Sequence, residues 1–113
     1  MLRLHPGADI LIVVMAKLAE GGQMTVSRML SIINEKGLHA RASARLVEVV
    51  EAYDASAEVF RDGMNAAGDS IMGLLMLAAS KGTSIEVATS GPDAEKLADA
   101  LEALVADRFG EDL

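Results

Sequence analysis

The apolar residues of this chain change their spacing along its length, and that change limits what it can fold into. From Ala40 onward, Ala42, Leu46, Val49, Val50 and Tyr53 recur at helical spacing, while Arg41, Arg45, Glu48 and Glu51 take the opposite side. Leu97, Leu101, Leu104 and Val105 repeat the pattern behind Pro92 at a first-turn position, with Asp93 and Glu95 against the helix dipole and Gly110 as the stop. The intervening segments behave differently. Arg28–Ile33 has strand composition and ends in the loop Asn34-Glu35-Lys36-Gly37. Ala57–Arg61 is a short strand, and Asp62-Gly63 suits a type I′ turn into Met64-Asn65-Ala66, because both central residues must take positive φ. Ser84–Thr89 alternates, with Ile85 and Val87 inward and Glu86 and Ala88 outward. Ahead of it, Gly68-Asp69-Ser70 supplies an N-cap for the apolar run Ile71–Ala79, a short helix that Gly82 closes. The predicted order is strand, helix, strand, strand, helix, strand, helix, an α/β (α+β) arrangement without internal repeat.

A chain of 113 residues with 51% apolar content can bury one core without disulfide or metal staples. The net charge of -7 falls entirely after Gln23, since Arg3 and Lys17 balance Asp9 and Glu20 before it. An acidic body of this kind argues against nucleic acid or an anionic membrane as partner. The chain has no cysteine and therefore no thiol nucleophile, which suits a reducing cytoplasm. The apolar run from Ile10 to Ala16 is bounded by Asp9 and Lys17 and is too short to span a bilayer. Gly21-Gly22-Gln23 follows it as a linker, so residues 1–23 are expected to be an extension outside the fold, with the domain occupying 24–113.

Chemistry concentrates at Gly37-Leu38-His39-Ala40-Arg41, where a lone histidine sits between a predicted strand and the first turn of a predicted helix. A neutral imidazole there can attack a phosphoryl donor. The phosphoryl group formed would face free backbone N–H groups, the positive end of the helix dipole and the Arg41 guanidinium. From the residues alone, Arg41 is equally well read as an arginine on a solvated helix face. No convergent set of carboxylates, histidines and thiols accompanies His39, so neither a metal site nor a stand-alone hydrolase is expected. No Gly-Lys-Ser/Thr nucleotide loop occurs.

Three stretches, in this order and spacing, resemble the HPr family, the histidine-containing phosphocarriers of the bacterial phosphoenolpyruvate-dependent phosphotransferase system (PTS). They are Gly37 to Arg41, Asn65 to Leu74, and Lys81 to Ile85 leading to Ser90-Gly91-Pro92-Asp93-Ala94, and the likeness extends over about residues 24 to 111. It implies an open-faced sandwich, a four-stranded antiparallel sheet with three helices on one face. It also implies that His39 is phosphorylated at Nδ1 by Enzyme I and passes the group to an Enzyme IIA-type protein, with Arg41 stabilising the phosphate. Such a protein is a phosphoryl-group carrier with a phosphohistidine intermediate rather than a stand-alone turnover enzyme, and it needs no cofactor. Ser70 matches the family's regulatory serine, the target in some bacteria of an HPr kinase/phosphorylase; the residues alone also fit a plain N-cap. Ile71, Met72 and Leu75 become candidates for partner docking. One departure stands out: the family usually has proline after the arginine, and this chain has Ala42, which implies a looser helix entry. The competing reading is a regulatory protein-binding module of the same fold, as in a nitrogen-type PTS, in which phosphorylation at His39 or Ser70 controls partner choice.

Overall fold

The computed structural model describes residues 25–113. The extension expected at 1–23 lies outside the described residues. Strand β1 (Thr25–Ser31) is followed by helix α1 (Ala40–Glu51), the hairpin β2 (Ser56–Arg61) and β3 (Met64–Ala67), helix α2 (Ile71–Met76), strand β4 (Ser84–Ser90) and helix α3 (Ala94–Ala106). A 3₁₀ turn, Arg108–Gly110, follows α3. The strands form one antiparallel sheet in the order β1-β4-β2-β3, and the three helices cover one face. Among the described residues no helix is long and apolar enough to cross a membrane.

The core lies between sheet and helices. Ile85 and Val87 of β4 and Val59 of β2 point into it and meet Leu46 of α1, Leu74 of α2, and Leu97 and Leu101 of α3, all essentially without solvent contact. The hairpin turns through Asp62 and Gly63 with φ of 49° and 78°, the two positive values that a type I′ turn requires. Arg28 on edge strand β1 reaches Glu102 at 2.6 Å and Asp99 at 2.9 Å, tying β1 to α3.

Several elements differ from expectation for identifiable reasons. β1 ends at Ser31 rather than Ile33, although Ile32 still exchanges main-chain bonds with the β4 approach, Ile32 N–H to Thr83 O at 2.8 Å and Gly82 N–H to Ile32 O at 2.9 Å. Gly82 therefore belongs to that turn and is not the stop of a helix. α2 ends at Met76 instead of Ala79, because Ala78 turns left-handed at φ 53°. The turn buries Leu77 and Ala79 and points the Ala79 carbonyl at Leu38 N–H, 2.8 Å away. Ala88, expected outward, is buried: it is a small side chain on the central strand, flanked by Ser27 of β1 and Glu58 of β2. Pro92 precedes the N-cap Asp93 instead of occupying the first turn of α3.

Helix α2 divides sharply between core and surface. Leu74→Ala should lower stability by about 3 kcal/mol through the cavity it leaves, whereas Met72→Ala should change it by less than about 0.5 kcal/mol. Urea unfolding of the two variants measures the contrast.

Candidate functional site

His39 is the N-cap of α1. Its backbone is extended, at φ −81° and ψ −175°, and its carbonyl already accepts the Ser43 N–H at 2.8 Å. The ring follows from this position: Nδ1 accepts the backbone N–H of Arg41 at 3.3 Å, as N-cap side chains do. The preceding loop is held in place by Gly37. With φ at +64° and a Cβ there only 2.5 Å from the Ala79 carbonyl, no other residue fits against the segment that follows α2.

The other side of the ring is covered by the chain's C-terminal segment. Arg108, Phe109 and Gly110 all take positive φ, at 55°, 55° and 78°, and reverse the chain after α3. A left-handed non-glycine residue costs about 1–2 kcal/mol, a cost offset at Phe109 by complete burial of its ring in the core. Arg45 of α1 donates to the Phe109 carbonyl. Thus Arg45, expected on a solvated face, instead anchors the tail. Beyond the turn, Glu35 N–H donates to the Leu113 main-chain oxygen at 3.1 Å.

This reversal delivers Glu111 to His39. One carboxylate oxygen, Oε2, pairs with His39 Nε2; the other, Oε1, accepts from Asn34 Nδ2 at 3.0 Å. Asn34 is fully buried, and its Nδ2 also donates to the Gly37 carbonyl at 2.8 Å. Both neighbours are acceptors, which fixes which way the amide points. The Asn34 bond, followed by the His39 bond and the charge of Lys36, holds the Glu111 carboxyl below its usual pKa against an opposing effect of burial.

The two bonds on the imidazole determine its protonation pattern. A backbone N–H can only donate, so Nδ1 presents its lone pair; a carboxylate can only accept, so Nε2 carries the hydrogen. The ring remains partly open, with about a quarter of the side chain exposed. It lies in a cleft lined by Lys36, His39, Arg41, Arg45, Glu111 and Leu113. The Arg41 side chain is exposed, and among the described residues its guanidinium is paired with no carboxylate. A second depression of similar size, lined by Tyr53, Ser56, Glu58, Phe60 and Ser90, contains none of the predicted site residues.

The remaining predicted site residues sit on α2, outside this cleft. Ser70 caps the helix, its hydroxyl accepting Gly73 N–H at 3.0 Å. Ile71 and Met72 are exposed, Leu75 is half-buried, and Met76, 74% exposed, completes the patch. Glu111, Asn34 and Phe109 had no part in the sequence-based site. The available signal was an aromatic residue just beyond an amphipathic helix, which marks a tail that docks. Ala42, at the position where the family usually has proline, is fully buried, and α1 begins at Ala40.

The fold and cleft define a class: a small open-faced sandwich that presents a partly exposed histidine at a helix N-terminus. Residues 26–107 match the PTS-HPr family model, described as the PTS HPr component phosphorylation site. The phosphocarrier protein HPr of Cupriavidus necator is 44% identical over 86 residues, covering 76% of this chain and 97% of that protein. The phosphocarrier protein NPr of Escherichia coli K12 is 39% identical over 90 residues, 79% of this chain and 100% of that one. The crystal structure of an HPr from Thermoanaerobacter tengcongensis superposes with a TM-score of 0.74 at 32% identity, covering 78% of this chain and 99% of the other. The chain belongs to the HPr family, and it is a phosphocarrier of the phosphotransferase system.

Since the folded-state pKa of Glu111 is depressed, its ionised form stabilises the native tail in full above the usual glutamate value of 4.5 and loses that effect as pH falls through the lower folded value. Glu111→Gln should therefore be less stable than wild type at pH 7, with the gap narrowing as pH falls below 4.5. Urea unfolding across pH 3–7 reads this out; a gap independent of pH would contradict it.

Proposed function

We propose that His39 carries the phosphoryl group, receiving it at Nδ1 from phosphorylated Enzyme I and passing it to an Enzyme IIA-type protein. The observation behind this reading is the state of the ring, whose Nδ1 lone pair faces the first turn of α1 while Nε2 is covered by Glu111. In the transfer, Nδ1 gives up the Arg41 N–H bond, its lone pair attacks phosphorus and a new N–P bond forms. The donor's bond to phosphorus breaks, with its electron pair staying on the donor. The incoming oxygens meet the amides at the start of α1 and the positive end of its dipole, where an anion is favoured. Arg41 adds a guanidinium fork suited to phosphate oxygens.

Partner proteins dock, in this reading, on the apolar patch of Ile71, Met72 and Met76, with Leu75 beneath it. Methionine supplies an adaptable contact surface. Phosphorylation of Ser70 by an HPr kinase/phosphorylase would add about two negative charges at the edge of that patch and beside Asp69, weakening Enzyme I docking. We assign the carrier to the bacterial cytoplasm, where its donor works. Relatives bear both HPr and NPr names, so the role is assigned at the level of the carrier, and the acceptor protein determines the pathway it serves.

The test is intact mass after incubation with active Enzyme I, magnesium and phosphoenolpyruvate, before and after brief acid treatment, on wild type, His39→Ala and Ser70→Asp. Wild type should gain one acid-labile phosphate, His39→Ala none, and Ser70→Asp should gain it about tenfold more slowly, an effect of about 1.4 kcal/mol. Wild type left unmodified by a demonstrably active Enzyme I would overturn the reading in favour of a partner-binding module.

A further inference from the structure

We infer that Glu111 is a positioning residue for phosphoryl transfer: its carboxylate holds the His39 Nε2–H in both the free and the phosphorylated ring. The inference rests on the reading of His39 as phosphoryl acceptor. Glu111 faces two hydrogen-bond donors at once, His39 Nε2–H and Asn34 Nδ2–H, each on its own carboxylate oxygen. Only an ionised carboxylate offers two acceptor oxygens to two donors; a glutamine must turn its NH₂ group toward one of them. Asn34 cannot turn away, because it is fully buried and its second N–H is committed to the Gly37 carbonyl. The Phe109 anchor and the Arg45 bond to its carbonyl place the tail so that Glu111 arrives at the ring from the side opposite the helix amides.

The consequence concerns charge. When Nδ1 forms its bond to phosphorus, the proton on Nε2 does not leave, and the ring becomes a phosphorylated imidazolium. Its positive charge lies against the Glu111 carboxylate, so the acceptor gains stabilisation as the N–P bond forms, with no proton to be moved. In onward transfer a nucleophile of the acceptor protein forms a new bond to phosphorus as the N–P bond breaks, the N–P electron pair returns to Nδ1, and the neutral ring resumes the bonds it had before. Glu111 thus acts on the ring, while the helix amides and Arg41 act on the phosphoryl oxygens.

The experiment uses the full chain labelled with ¹⁵N-histidine, as wild type, Glu111→Gln and the control Asp107→Asn, an exposed position just beyond α3. Two quantities are read on each. The first is the His39 ring N–H proton in the unphosphorylated protein, which a carboxylate bond shields from exchange. The second is the phosphorylation equilibrium with Enzyme I at fixed phosphoenolpyruvate and pyruvate, measured by intact mass. Backbone amide spectra of the same samples report folding. Wild type and Asp107→Asn should show a protected Nε2–H and equal equilibria. Glu111→Gln should keep its amide spectrum, lose the protected signal, and shift the equilibrium against phospho-His39 by about tenfold, the size of one charge-assisted hydrogen bond. A protected Nε2–H in Glu111→Gln, or an equilibrium within twofold of wild type, overturns the inference. Failure of the underlying reading looks different: wild type takes no phosphate on His39 from active Enzyme I, whatever its ring N–H signal.

Discussion

Asn34 is a fully buried carboxamide whose two N–H bonds hold the arrangement around the histidine, while its Oδ1 has no partner among the described residues. A buried N–H left without an acceptor costs about 1–3 kcal/mol, so the two Nδ2 hydrogens must both find oxygen. One takes the Gly37 carbonyl, which shapes the loop entering α1; the other takes Glu111, which fixes the end of the tail. His39 stands between these two segments. Its backbone belongs to the loop and the helix cap, and its ring is touched by the tail. One side chain from the strand exit therefore bonds both the loop that leads into α1 and the segment after α3, alongside the Arg45–Phe109 and Glu35–Leu113 bonds.

This arrangement suits a carrier, which must accept a phosphoryl group and then give it up. Each 1.4 kcal/mol of stabilisation of the phosphorylated form shifts transfer tenfold, so strong trapping would defeat the function. Here the stabilisation is divided. In the proposed transfer the dianion would meet the amides at the start of α1 and the exposed Arg41 guanidinium, while the ring's charge would meet the Glu111 carboxylate that pairs with Nε2. The rest of the fold supplies rigidity: α1 is packed by Leu46, Val47 and Val50 into the core, and the Leu38–Ala79 main-chain bond fastens the histidine loop to the segment after α2.

The fold was largely legible because its elements carry local signals. The inward Ile85 and Val87 of β4, helical spacing in α1 and α3, the Asp62-Gly63 turn and the Ser70 cap each agree with the tertiary structure. The placement of His39 and Arg41 at the start of α1 was legible because the helix start is written in adjacent residues. The discrepancies share a cause: they depend on contacts distant in sequence. α2 stops at Met76 because Ala79 must meet Leu38, and Ala88 is covered by neighbours on two other strands. Arg45 bonds a carbonyl 64 residues away, and Glu111 reaches His39 across 72 residues. No periodicity marks a carboxylate that follows a turn of three left-handed residues, so the tail's role emerges only from geometry.

The central claim is that the structure presents His39 with its lone pair on Nδ1 and its hydrogen on Nε2, so that phosphorus is bound at Nδ1. The most direct test is ¹⁵N NMR of the ¹⁵N-histidine-labelled protein after phosphorylation, reading which ring nitrogen is coupled to phosphorus. Coupling at Nδ1, with Nε2 still protonated, is the predicted result. Phosphorus on Nε2 would contradict the account, because that nitrogen is the one covered by Glu111.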